Sequence, residues 1–155
     1  MRATALSLML WGLAAPMLAP LMAPAAATAQ VIGDDLPPAA AEARAAIEGV
    51  IAGQLQAFAD RDVAAAWGHA SPFIQTIFGS PDNFGAMVEQ GYPMVWSNAG
   101  ASFSDLRTEG TLLLQRLVVE DAEGRFWTMD YEMVQVDGDW RINGVLLLPA
   151  PDLSA

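Results

Sequence analysis

The sequence predicts an α+β fold in which N-terminal helices pack on the concave face of a curved antiparallel sheet. Three observations carry that expectation. Apolar residues recur at three- and four-residue steps in the first half of the chain, and from Val95 the period changes to two. Near the end, Asp137-Gly138 separates two β-prone runs, the strongest short signal for a hairpin. Helices followed by a meander imply that the helices cover one sheet face.

The hairpin predicts its own register. A two-residue type I′ turn at Asp137-Gly138 sets Val136 against Asp139, Gln135 against Trp140 and Met133 against Ile142. Continued without interruption, it sets Tyr131 against Gly144, Met129 against Leu146 and Trp127 against Leu148. Those pairs share one largely apolar face. Gly144 opposite Tyr131 fits an aromatic ring folded over a glycine and a sheet that bends there.

Before the hairpin, residues 1–29 read as a signal peptide. Arg2 precedes an apolar run from Ala3 to Met22, and Ala27-Thr28-Ala29 offers a small-x-small cleavage site. Pro16, Pro20 and Pro24 disfavour an unbroken spanning helix, so no stable membrane anchor is expected after cleavage. The expected location is periplasmic or secreted. With no cysteine, the exported fold must hold by core packing. Beyond Arg2, six arginines face 18 acidic residues, a net charge of −12. Such a balance argues against nucleic acid and anionic membranes as partners.

Residues 30–41, with Asp34-Asp35 and Pro37-Pro38, read as a flexible lead-in. Residues 42–149 form the single expected domain, and 150–155 a flexible tail. A long helix is expected from about Pro38 to Ala59, with Ile47, Val50, Ile51, Leu55 and Phe58 on one face. Asp62 is placed to cap a short helix through Ala66 and Trp67. Ser71-Pro72 closed by Gly79, and Ser80-Pro81 closed by Gly91, open two more helices. Phe84, Met87 and Val88 form the buried stripe of the second. Tyr92-Pro93 is expected to force an extended exit. Strands follow at Ala101–Thr108 and Thr111–Val119, then a loop from Glu120 to Gly124 leads into the hairpin.

These residues resemble a known family. Gln54-Leu55-x-Ala57-Phe58, Ala70-Ser71-Pro72, Phe78-Gly79, Phe84-x-x-Met87-Val88-x-x-Gly91-Tyr92-Pro93-x-Val95 and Trp140-Arg141-Ile142-x-Gly144 look like the nuclear transport factor 2-like superfamily of cystatin-like cones. More narrowly, they resemble the bacterial domain of unknown function 4864 family, over roughly residues 45–148. The resemblance implies a cone, but no activity. Superfamily members include isomerases, dehydratases, hydrolases and domains without chemistry, so fold does not choose among them.

His69, the only histidine, and Tyr131, which points inward, are the candidate acid/base groups. A lone histidine is more often a polar helix end, and a buried tyrosine hydroxyl a satisfied core group. Asp130 and Glu132 fall on the opposite face, with Arg116, Arg141 and Asn143, and read as a salt-bridged surface. No cluster has metal-ligand spacing, and no metal or other cofactor is expected. Trp67, Phe84, Tyr92, Trp127, Met129, Tyr131, Met133 and Trp140 are candidates to line an apolar pocket. Val134, Val145 and Leu147 would lie on a mixed outer face suited to a homodimer. The function expected is non-catalytic binding of a small apolar ligand or a periplasmic protein. The alternative is an acid/base isomerase or hydrolase with its site inside the cone.

Overall fold

A computed structural model describes residues 38–149. The expected signal peptide, the tail and most of the lead-in lie outside the described residues. The first element is the long helix α1 (Pro38–Ala59), with the expected bounds. Ile47, Ile51, Leu55 and Phe58 are buried along one face, and Gln54 is buried among them. The chain then reverses through Arg61, whose φ of 63° lies in the left-handed region. The Arg61 guanidinium secures that reversal by donating to the Phe58 and Trp96 carbonyls and lying 4.6 Å from the Trp96 ring centre.

Local capping chemistry sets the next helices. Asp62 caps α2 (Val63–Gly68), its carboxylate accepting from the Ala65 amide at 2.9 Å. Ser71 and Ser80 cap α3 (Pro72–Phe78) and α4 (Pro81–Gly91), each with proline just inside the helix. Gly79 ends α3 at φ 72°, whereas α4 runs through Gly91 and ends at Tyr92. The expected extended exit is replaced by a one-turn helix, α5 (Pro93–Trp96). Only Tyr92, at φ −133° and ψ 57°, must avoid the α region, and Pro93 then starts a new helix at its first position.

Four strands form one curved antiparallel sheet in the order β1 (Asn98–Glu109), β2 (Leu112–Asp121), β3 (Phe126–Val136) and β4 (Asp139–Leu147). The first strand exceeds its expected bounds at both ends, and a bulge at Ser104–Asp105 interrupts its alternation. Asp137 and Gly138, at φ 52° and 90°, make the turn between β3 and β4.

The register holds from Val136 opposite Asp139 to Met133 opposite Ile142, and then shifts. Glu132 faces Gly144, Tyr131 faces Val145 and Met129 faces Leu147, so Asn143 is an extra residue in β4. Side contacts hold that bulge. Asn143 donates to Glu132 Oε1 at 2.8 Å and accepts from the Ser71 hydroxyl at 2.7 Å. The shift corrects the face assignment: Val145 and Leu147 belong to the helix-facing side. Leu146, 61% exposed, takes the outer side that had been expected of them, and Gly144 lies against Glu132 rather than Tyr131.

The core lies between the helices and the inner sheet face. Leu117, Val119, Met129, Tyr131, Met133 and Ile142 meet the buried side of α1 together with Phe84, Val88, Met94 and Val95. Phe84 is the hub of an aromatic cluster, with ring centres 5.7 Å from Phe58, 5.5 Å from Trp67 and 5.7 Å from Phe78. Among the described residues, no helix is long and apolar enough to cross a membrane.

Candidate functional site

The core is not filled. Between the helices and the C-terminal half of the sheet lies a cavity of about 280 Å³. Phe58 from α1, Ile74 and Phe78 from α3, Phe84, Met87 and Val88 from α4, and Ile142 and Val145 from β4 make most of its wall. Phe58, Phe84, Val88 and Ile142 are buried at its deep side. Ile74, Phe78, Met87 and Val145 are partly exposed, which places the mouth among α3, α4 and β4.

The mouth owes its position to the docking of Ala70-Ser71 on the free edge of β4. Ile142 donates its amide to the His69 carbonyl at 2.9 Å, and Ser71 donates its amide to the Ile142 carbonyl at 2.8 Å. These bonds form a parallel bridge between Ala70 and Ile142. They cover an otherwise open strand edge and set α3 across the sheet's end. Two of the sequence motifs, Ala70-Ser71-Pro72 and Ile142-x-Gly144, thus meet in space.

Three polar side chains belong to the wall. Tyr92 donates its hydroxyl to the Val145 carbonyl at 3.2 Å. Gln54, only 3% exposed, donates through Nε2 to the Ala66 carbonyl at 3.2 Å, tying α1 to the end of α2. Since a carbonyl can only accept, that bond orients the amide, and the Gln54 oxygen receives no hydrogen bond from any described residue. Tyr131 contributes its ring, but its hydroxyl has no partner among the described residues and no accessible surface. Burial pushes its pKa far above the ordinary tyrosine value, with the nearby Tyr92 adding to the effect. The hydroxyl is therefore neutral and sealed behind the wall.

The expected pocket residues divide. Phe84, Tyr92 and Tyr131 line the cavity. Trp67 packs against Phe84 outside the lining. Met129 and Met133 are solid core, and Trp140 is partly buried near the hairpin tip. Trp127 is held at the far end of β3, donating its indole N–H to Asp121 at 2.8 Å. Burial opposes the charge on Asp121, but the bond from Trp127 and those from Arg125 outweigh it and lower its pKa. Gln54 was missed although it had a signal, since it stands within the three- and four-residue spacing of an apolar stripe.

His69 and Tyr131 do not converge. His69 caps the end of α2 and lays its imidazole against α1, where a Cβ on Gly53 would come within 2.9 Å of Nε2. Burial, helped by the charge of Arg141, lowers its pKa. It does not line the cavity, and neither does any carboxylate among the described residues. Asp130 and Glu132 are on the outer face as expected. Asp130 is 2% exposed and receives four hydrogen bonds, two each from Arg107 and Arg116, at 2.6 to 3.1 Å. Among the described residues, no group of three or more His, Cys, Asp or Glu side chains could hold a metal.

No curated protein and no solved structure matches the chain. A family model does match, over residues 40–155, which takes in every strand, every capped helix and the whole cavity wall. On that match, the chain belongs to the family described as Domain of unknown function (DUF4864).

Proposed function

We propose that the chain is a binding module that takes a small apolar molecule into the cavity between its helices and its sheet. The carrying observation is the wall itself. It is built almost wholly of aliphatic and aromatic side chains and opens between partly exposed residues of α3, α4 and β4. An apolar void of this size leaves its lining short of contacts, which an apolar guest restores.

The rival acid/base reading needs a proton acceptor at the cavity. His69 lies against Gly53, and Asp130 and Glu132 belong to the other sheet face, so the observed placement favours binding. The element order also supports assigning the cone to the nuclear transport factor 2-like superfamily, which superposition of an experimental structure on its members would test.

Naphthalene is a suitable probe, being apolar and small enough for the volume. It should raise the melting temperature of the purified chain in a saturable way, as any ligand selective for the folded state must. Val88→Phe, which puts a larger side chain into the void, should fold and lose that response. An unchanged melting temperature with saturating naphthalene, or an equal rise in Val88→Phe, overturns the reading.

A further inference from the structure

We propose that the molecule taken by the cavity is an uncharged alcohol or phenol, held by a hydrogen bond from its hydroxyl to Gln54 Oε1. The inference rests on the binding function proposed above and specifies its ligand. Three features of the wall carry it.

The first is the amide itself. Gln54 is 3% exposed and sits on the buried stripe of α1 beside Leu55 and Phe58, a place where leucine or methionine would serve the core. A buried polar group without a partner is costly, so a glutamine there calls for a use. Half of that use is visible, since Nε2 is committed to the Ala66 carbonyl. What remains is the second N–H of the amide and an acceptor oxygen, and an acceptor calls for a guest that donates.

The second feature is that the other polar side chains of the wall have no O–H left to give a guest. The Tyr92 hydroxyl is engaged with the Val145 carbonyl, and the Tyr131 hydroxyl has no accessible surface. The guest therefore meets acceptors, Gln54 Oε1 and the lone pairs left on the Tyr92 hydroxyl, amid hydrocarbon, which matches a molecule with a single hydroxyl.

The third is charge. Among the described residues, no arginine, histidine, aspartate or glutamate is part of the wall. An ionised guest would surrender its hydration without compensation, so carboxylates and amines are disfavoured. Size follows from volume. A cavity of about 150 Å³ accepts benzene, so about 280 Å³ suits a guest of about ten to twelve heavy atoms.

Three naphthalene derivatives separate these features. 2-Naphthol donates a hydrogen bond, 2-fluoronaphthalene has the same number of heavy atoms and donates none, and 2-naphthoate is charged. Calorimetry on the purified chain should find 2-naphthol bound about fivefold more tightly than 2-fluoronaphthalene, the value of one net hydrogen bond. 2-Naphthoate should bind at least about tenfold more weakly than 2-naphthol. In Gln54→Met, both neutral probes should still bind and their affinity ratio should fall to about one. Should that variant fail to fold, the side-chain amide resonances of Gln54 in the unaltered chain give the same information. They should move on adding 2-naphthol and much less on adding 2-fluoronaphthalene. A ratio near one in the unaltered chain, or a preference that survives Gln54→Met, overturns this inference and leaves the binding function standing. No binding of any of the three overturns both.

Discussion

Asp130 and Tyr131 are neighbours on β3, both buried, and they point to opposite faces of one sheet. Each oxygen of Asp130 receives two hydrogen bonds, from Arg107 and Arg116, whereas the hydroxyl of Tyr131 exchanges none with any described residue. The outer face therefore spends its polar groups on closing itself. The inner face keeps a void and leaves polar atoms unmatched beside it. Buried polar groups with all partners present hold a fold together, while incomplete ones mark a strained or unfinished place. By that criterion Asp130, read in the sequence as part of a salt-bridged surface, is structural, and the proposed binding site lies on the other side of the sheet.

The largest expected effect that tests this contrast comes from Asp130. Asp130→Ala strands two guanidinium groups beside a buried position, and denaturant unfolding should show a loss of about 2–4 kcal/mol, moderated because both arginines keep contact with water. Hydrogen bonds from Arg107, then from Arg116, hold the Asp130 carboxyl well below the usual carboxylate range, against burial. With the folded pKa depressed, the stabilisation is complete above the unfolded value of about 4 and is lost as pH falls toward the folded one. The unaltered chain should therefore lose more stability than Asp130→Asn between about pH 4 and pH 2. Equal acid sensitivity would mean that the outer cluster is not the anchor described.

The same contrast explains what was legible in the sequence. Helix ends were, because their causes are local: Asp62, Ser71 and Ser80 cap helices that begin one residue later. The hairpin turn was legible for the same reason. The bulge at Asn143 was not, since its cause is tertiary. Its side chain is held by Ser71, distant in sequence, and by Glu132 on the adjacent strand. That one residue moved Val145 into the cavity wall and Leu146 onto the outer face of the sheet. Nor could the pairing of Asp130 with Arg107 be read, because the bulge at Ser104–Asp105 sets the face on which Arg107 lies. The cavity was beyond reach for a different reason, being a volume left between elements rather than a property of any residue. Phe84, Tyr92 and Tyr131 were readable as residues of an apolar face, and Gln54 as a polar break in one.

A smaller effect is expected on the inner face. Tyr131→Phe keeps the ring in the cavity wall and removes a hydroxyl that nothing solvates. Stability should stay within about 1 kcal/mol of the unaltered chain, or rise. The comparison with Asp130→Ala is the point, since both residues are buried to nearly the same degree. A large loss in Tyr131→Phe would reveal a hydrogen bond made by the hydroxyl and would make the inner face as complete as the outer.

The smallest effect concerns His69, which belongs to neither face. Its pKa is lowered, chiefly by burial and further by Arg141, so the unfolded chain takes up a proton before the folded one does. The stability tied to the neutral ring is present in full above about pH 6.5 and is lost as pH falls toward the lowered value. Since the chain has no other histidine, a shallow decline in stability from about pH 7 to pH 5.5 should disappear in His69→Gln. The affinity for 2-naphthol should stay flat over the same window, because the imidazole packs on Gly53 and not on the cavity. An affinity that followed the His69 titration would bring the histidine to the ligand. The acid/base reading would then replace the binding one, and the division between a structural face and a binding face would need a third region where the chemistry is done.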